Sequence, residues 1–288
     1  MSTRRLTTAP PGGIHNPVPH LLTVALKRAP GAGAGFPFTV PAIRSLTPLD
    51  LSAPVTLFVG ENGSGKSTLL EGIAAAARLP SVGADDVASD ATLAAQRRLG
   101  DVLRLTWSKR THRGFFLRAE DFFGFQRRLA ADRVALEARL SELDVEYHDR
   151  SAYAKGLASG PMRVSLADME RRYGRDPDAR SHGQAFLNLF QGRFVPGGLY
   201  LLDEPEAPLS PQNQLGLLAV LLEMVTQAAQ FVIATHSPML LAYPGAKIYS
   251  FDQVPIAPLD YEELDHVVLT RDFLNDPGAF LRHLGNGV

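Results

Sequence analysis

The chain contains no cysteine. That excludes a disulfide framework, a cysteine nucleophile and any thiolate-held zinc or iron–sulfur site. No apolar run approaches the ~18 residues that cross a bilayer. The densest stretch, 215–225, is interrupted by Gly216 and Glu223 and reads as a buried helix. The N-terminus carries Arg4 and Arg5, but Pro10, Pro11, Gly12 and Gly13 stand where a signal peptide needs an apolar segment. Net charge is nearly absent too, at −1 over 288 residues, so no global field draws the chain to nucleic acid or membrane. These absences predict a soluble, cytoplasmic protein with no membrane insertion of its own.

The charge balance conceals an asymmetry. Residues 97–139 hold 11 Lys and Arg against 5 Asp and Glu, whereas residues 200–288 hold 3 against 11. Solvated faces account for such patches; the alternative is an electrostatic footprint for a nucleic acid or effector-protein partner.

Residues 1–20, rich in Pro, Gly and Thr, read as a disordered tail. Leu21–Lys27 and Phe36–Ile43 read as strands, and Val55–Val59 as a strand buried on both faces that ends at Gly60. A helix with Ser67, Leu69, Leu70 and Ile73 follows and stops by Pro80. Residues 81–185 differ: a strand at Gly114–Leu117 precedes a charged helix from Gln126 to Asp149. Leu129, Leu136 and Leu143 fall seven apart on that helix, beside Leu140 and Tyr147. That is too short a repeat for a coiled coil and predicts a helix packed on its own domain. Beyond Gly197 and Gly198 come a short apolar strand (199–202), Ser210 as N-cap with Pro211 at the first helical position, a helix over Gln212–Ala229 and a strand over Phe231–Thr235. Strand, helix, strand implies a parallel α/β sheet. The last forty residues read as a strand pair closed by a broken helix, Arg271–Leu284. The expected plan is a tail (1–20), a core in two parts (21–80 and 186–250), an insertion lobe (81–185) and a C-terminal cap (251–288).

Gly60, Glu61, Asn62, Gly63, Ser64, Gly65, Lys66, Ser67 and Thr68 carry the most specific signal, since residues 60–67 fit G-x-x-x-x-G-K-[ST]. Such a match arises by chance about 0.004 times in a chain of this composition, and here it lies between a strand and a helix. Glycines let the backbone wrap phosphate oxygens, and the amides and helix start direct positive charge at them. Lys66 reaches the β and γ phosphates of ATP, and the Ser67 hydroxyl ligates Mg²⁺. Leu199-Tyr-Leu-Leu-Asp203-Glu204-Pro205 is the matching acidic strand end. Asp203 is placed to hold Mg²⁺, and Glu204 to take a proton from the water that attacks the γ phosphate.

With Asp203-Glu-Pro-Glu-Ala207 in place and Ala234-Thr-His236-Ser-Pro-Met239 after it, the sequence resembles ATP-binding-cassette (ABC) P-loop ATPases. The resemblance implies a mainly parallel central sheet, an N-terminal antiparallel β element and a helical insertion lobe. It makes Glu204 the catalytic base and His236 the switch histidine on the γ phosphate. It also implies a signature loop that caps a partner protomer's nucleotide. Ser181, Gly183 and Gln184 are the nearest match, although Arg180 and His182 depart from Leu-Ser-Gly-Gly-Gln; an ordinary helix N-cap is the alternative. The resemblance also implies a glutamine loop that couples the γ phosphate to the helical lobe; no glutamine ends the 114–117 strand, and Glu120 stands in the corresponding region. An aromatic to stack on adenine is not evident: Phe36 and Phe38 precede the phosphate loop, but alternating Phe in a strand is more often core.

Glu206-Ala-Pro-Leu-Ser-Pro211 and Thr235-His-Ser-Pro238 are similar to soluble ATPases of the DNA-repair, SMC and phage-defence groups, and the size resembles compact bacterial AAA-family ATPases. The resemblance implies an ATP-dependent homodimer around two Mg·ATP that switches a partner. A transporter's ATP-binding subunit and an ATP clamp of negligible turnover remain alternatives.

Overall fold

The computed structural model describes residues 18–31, 33–82, 94–173 and 182–285. Its elements are β1 (Leu21–Leu26), α1 (Pro41–Arg44), β2 (Leu49–Asp50), β3 (Val55–Val59), α2 (Lys66–Ala77), α3 (Ala94–Val102), β4 (Leu103–Trp107), β5 (Gly114–Arg118), α4 (Ala119–Glu146), α5 (Ala152–Tyr173), α6 (His182–Arg193), β6 (Leu199–Asp203), α7 (Pro211–Thr226), β7 (Gln230–Ala234), α8 (Pro238–Leu241), β8 (Lys247–Ser250), β9 (Ala257–Pro258), α9 (Asp265–Asn275) and α10 (Pro277–Gly285). Strands β5, β6, β7, β3 and β8 lie parallel in that order, with β9 antiparallel at the edge. A second, antiparallel sheet has the order β2-β1-β4. Among the described residues no helix is long and apolar enough to cross a membrane.

Every residue of β3, β6 and β7 is buried, as a parallel sheet covered on both faces requires. Alternation sorts the side chains between two cores. Leu57, Tyr200, Leu202, Phe231 and Ile233 join Phe186 and Phe190 of α6 and Leu217 and Leu221 of α7. Phe58, Leu201, Val232 and Ala234 join Leu69, Leu70 and Ile73 of α2 and Leu21 and Val24 of β1. In the first core a run of aromatic contacts leads away from the sheet. Tyr200 meets Phe194 at 4.5 Å between centroids, Phe194 meets Phe190 at 5.0 Å, Phe190 meets Phe186 at 4.6 Å, and Phe186 meets Phe122 of α4 at 4.5 Å. Phe186, Phe190 and Phe194 recur every four residues, so one face of α6 is stacked onto the sheet.

A fully buried amide joins the two sheets. Gln230, the first residue of β7, donates to the carbonyls of Leu21 (2.8 Å) and Leu51 (2.7 Å) and accepts the Leu21 N–H at 2.8 Å. Its side chain thus satisfies backbone groups that the neighbouring sheet leaves over.

Most expected elements are present, with differences: the closing helix expected over Arg271–Leu284 is two helices, α9 from Asp265 and α10 to Gly285, and α3 and β4 precede the 114–117 strand where no element was expected. Phe36–Ile43 is not a strand: residues 36–39 form a turn and α1 starts at Pro41. Pro37 and Pro41 donate no backbone hydrogen bond, which overrules the alternating Phe pattern. The helix expected from Gln126 begins at Ala119, and α5, which was not expected, packs against it as a helical hairpin. The predicted row behaves as an internal seam, with Leu143 buried and Leu129, Leu136 and Leu140 half-buried. The strand expected at Phe231 begins one residue earlier, at Gln230. Most of the expected tail, residues 1–17, lies outside the described residues.

Replacing Gln230 by the similarly sized Leu strands the Leu21 N–H and the Leu21 and Leu51 carbonyls. The expected loss is about 2–4 kcal/mol, read in urea unfolding as a lower midpoint at unchanged slope. An unchanged midpoint would mean that the amide does not hold the sheets together.

Candidate nucleotide site

Parallel register aligns Arg118 of β5, Asp203 of β6, Ala234 of β7, Phe58 of β3 and Tyr249 of β8 in one row. The chain leaves the sheet just beyond that row on every strand, at its C-terminal edge, where open α/β sheets place their ligand sites. Gly60 follows β3, Glu204 follows β6, Thr235 and His236 follow β7, and Asp252 lies two residues past β8.

The loop after β3 takes left-handed backbone at Gly60 (φ 148°), Gly63 (φ 82°) and Gly65 (φ 108°). A side chain is barred at two of these positions by space as well. A Cβ on Gly65 would approach Val40 Cγ1 to 2.8 Å, and one on Gly60 would meet the Asp252 carboxylate at 3.0 Å. Asp252 also accepts the Glu61 N–H at 2.7 Å, bracing the loop's first turn from β8. Lys66, at the start of α2, is 4 % exposed and folds back to donate to the carbonyls of Gly60 (2.5 Å) and Glu61 (2.9 Å). Burial pushes its pKa down, and Glu204, Asp203, Asp252 and Glu206 pull the other way. The Ser64 hydroxyl is buried with no hydrogen-bond partner among the described residues.

Asp203, 8 % exposed, accepts the Ser67 hydroxyl at 3.0 Å. Burial is the main reason its carboxyl is raised to about 6; Glu204 adds to the rise, while the Ser67 hydroxyl, Arg118 and Lys66 oppose it. The opposing Arg118 is itself paired with Glu71 of α2.

Glu204 occupies left-handed backbone at φ 50°, rare for a side chain of its size, and donates its N–H to the Ala234 carbonyl at 2.9 Å. His236 Nε2 lies 3.7 Å from Glu204 Oε1, beyond hydrogen-bond reach. That nitrogen is buried without a hydrogen-bond partner among the described residues. The His236 backbone N–H is held by Glu206 Oε1 at 2.7 Å, and burial pushes the Glu206 pKa up. Ser237 caps α8 and donates to Gln214 of α7 at 2.6 Å, anchoring the loop that carries His236.

The structure therefore gathers Gly60–Thr68, Asp203, Glu204 and His236 at one edge. Gly183 and Gln184 lie in the first turn of α6, while Ser181 lies outside the described residues. Glu120 is exposed and 3.6 Å from Arg118. Phe38 packs on the core around α2, and Phe36 is exposed. Sequence reading missed Asp252, whose partner lies 191 positions away, and left Glu206 without a role although it stands inside the acidic motif.

For Mg²⁺ the donor set fits: a hydroxyl and a buried carboxylate oxygen already 3.0 Å apart, Ser67 and Asp203, are hard oxygen ligands beside a phosphate loop.

A family model described as an AAA domain matches residues 39–79. No curated protein matches the sequence. Among solved structures, a nucleotide-free ATP-binding cassette from an ABC transporter is 18% identical, with 86% of this chain and 95% of that one covered and a TM-score of 0.46. CbiO1 of Clostridium perfringens, part of the ABC transporter complex cbiONQ, is 17% identical over 93% and 99%, with a TM-score of 0.42. The Smc head domain of Pyrococcus furiosus, bound to the C-terminal domain of ScpA, is 12% identical over 88% and 100%, also at 0.42. The mainly parallel strand order, the phosphate loop and the acidic strand beside it make this chain a P-loop α/β fold.

Because the Asp203 carboxyl is held at about 6, above its ordinary 3.8, ionising it opposes folding. In metal-free buffer at pH 8, Asp203→Asn should therefore raise stability by on the order of 1–3 kcal/mol. The gain should shrink as pH falls through 6 and vanish below 3.8, where Asp203 is protonated in folded and unfolded chains alike. A lowered melting temperature at pH 8 would contradict this.

Proposed function

We propose that the chain binds and hydrolyses ATP with Mg²⁺ and works as an ATP-dependent homodimer that switches a partner. One observation carries the reading: a buried ammonium, a carboxylate and an unpartnered imidazole converge beyond a phosphate loop, with His236 Nε2 3.7 Å from Glu204.

In this mechanism the loop amides and the start of α2 cradle the phosphates. Lys66 exchanges the Gly60 and Glu61 carbonyls for β and γ phosphate oxygens. Ser67 and Asp203 would hold Mg²⁺, which when bound neutralises charge across the β and γ oxygens. Glu204 takes the proton of the attacking water as its oxygen bonds to the γ phosphorus and the bond to the bridging oxygen of ADP breaks. His236 donates to a γ oxygen, where negative charge accumulates. Ser181, together with Gly183 and Gln184 in the first turn of α6, caps the γ phosphate of the second protomer. The aromatic stack along α6 supports this arrangement, because it ties the cap's helix to β6, the strand that bears Asp203. Loss of the γ phosphate then releases the dimer.

Lys66→Ala should weaken Mg·ATP binding tenfold or more, about 1.4 kcal/mol or beyond. Glu204→Gln should keep ATP binding, lose about 10²-fold or more in phosphate release and shift from monomer to dimer mass with Mg·ATP. Wild-type turnover by Glu204→Gln would remove Glu204 as the base. A mass unchanged by bound ATP would remove the trans cap.

A further inference from the structure

The head of α9 is packed against the loop that carries His236. Leu264 and Val267 are buried in the same core as Leu240 and Leu241 of α8. The Tyr261 hydroxyl donates to the Pro238 carbonyl at 3.2 Å. Between those two anchors, His266 turns its imidazole inward: its Nε2 is buried and has no hydrogen-bond partner among the described residues. His236 Nε2 is in the same condition. A buried ring nitrogen without a partner is costly, and two of them, one on α9 and one on the loop that α9 packs against, point to a ligand that satisfies both.

The charges that act on His266 agree with that packing. Burial presses its pKa below the ordinary histidine value; the charge of His236 adds to this, Asp252 and Asp265 oppose it, and Lys66 adds a further push. Three of those four groups are the phosphate-loop lysine, the carboxylate that braces the loop and the switch-position histidine. At neutral pH His266 is accordingly a neutral ring with one N–H to give, and nothing in the proposed hydrolysis uses it.

We infer that His266 is a second imidazole ligand for the γ phosphoryl group of ATP, supplied by the C-terminal helices. This rests on the reading of the site as an ATP site. Nε2–H of His266 donates to a γ oxygen beside His236, so α9 is fastened to the site when ATP is bound and let go when ADP remains. Lys66 and the loop amides hold the phosphates common to both nucleotides. His266 instead discriminates between them.

The test uses the full chain with Mg²⁺, titrated with the non-hydrolysable analogue adenylyl-imidodiphosphate and separately with ADP. His266→Ala should weaken the analogue about tenfold, the worth of one charge-assisted hydrogen bond, and leave ADP within about twofold. His266→Gln, which keeps an N–H donor, should recover most of the loss, and it gives the same comparison if the alanine variant does not fold. Equal weakening of both nucleotides, or no weakening of either, overturns the inference. A wild-type chain that binds neither nucleotide overturns the ATP reading itself and the inference with it.

Discussion

One buried ammonium among four carboxylates is the constraint around which the site is arranged. Lys66 is 4 % exposed, and Asp203, Glu204, Glu206 and Asp252 all act on it. Removing one cation from water is costly, and crowding four acids around it overcompensates that charge. The acids register this: burial lifts Asp203 to about 6 and pushes Glu206 up, and the charge of Glu204 adds to both. Such a cluster is poorly balanced alone and well matched to a ligand that brings its own divalent cation and phosphates.

The rest of the fold serves to hold that cluster in place. Parallel register puts the ends of β3, β6, β7 and β8 at one level, so four separate chain segments deliver their groups to one edge. The Gln230 amide fixes β7 against the antiparallel sheet, and Asp252 fixes the phosphate loop against β8. The left-handed backbone at Glu204 is strain kept where a side chain must leave the strand direction abruptly. These supports act at different distances from the chemistry, but each restrains a group that carries it.

The phosphate loop was legible in the sequence because its geometry depends on local residue types: glycines where φ is positive, then lysine and serine opening a helix. The strands β3, β6 and β7 were legible because full burial leaves an apolar signature. The Ser210 cap was legible for the same local reason, and its hydroxyl accepts the Asn213 N–H as expected. What escaped notice depends on partners far away in the chain. Asp252 earns its place by a bond to Glu61, 191 positions earlier, and Gln230 by bonds to residues near 21, 209 positions earlier. Helix α5 was missed because Val164, Leu157 and Tyr153 remain exposed and Pro161 interrupts its interior; a half-solvated hairpin arm leaves little periodicity to read. The alternating Phe36 and Phe38 imitated a strand that two prolines forbid.

The central claim is that this cluster is a magnesium-dependent ATP-hydrolysing site. The most direct measurement is phosphate release from ATP by the wild-type chain, followed as Mg²⁺ is titrated from an EDTA-treated start. The account predicts no release without the cation and saturable release once it is present. Release that proceeds unchanged in EDTA, or none at any Mg²⁺ concentration while ATP is demonstrably bound, would contradict it.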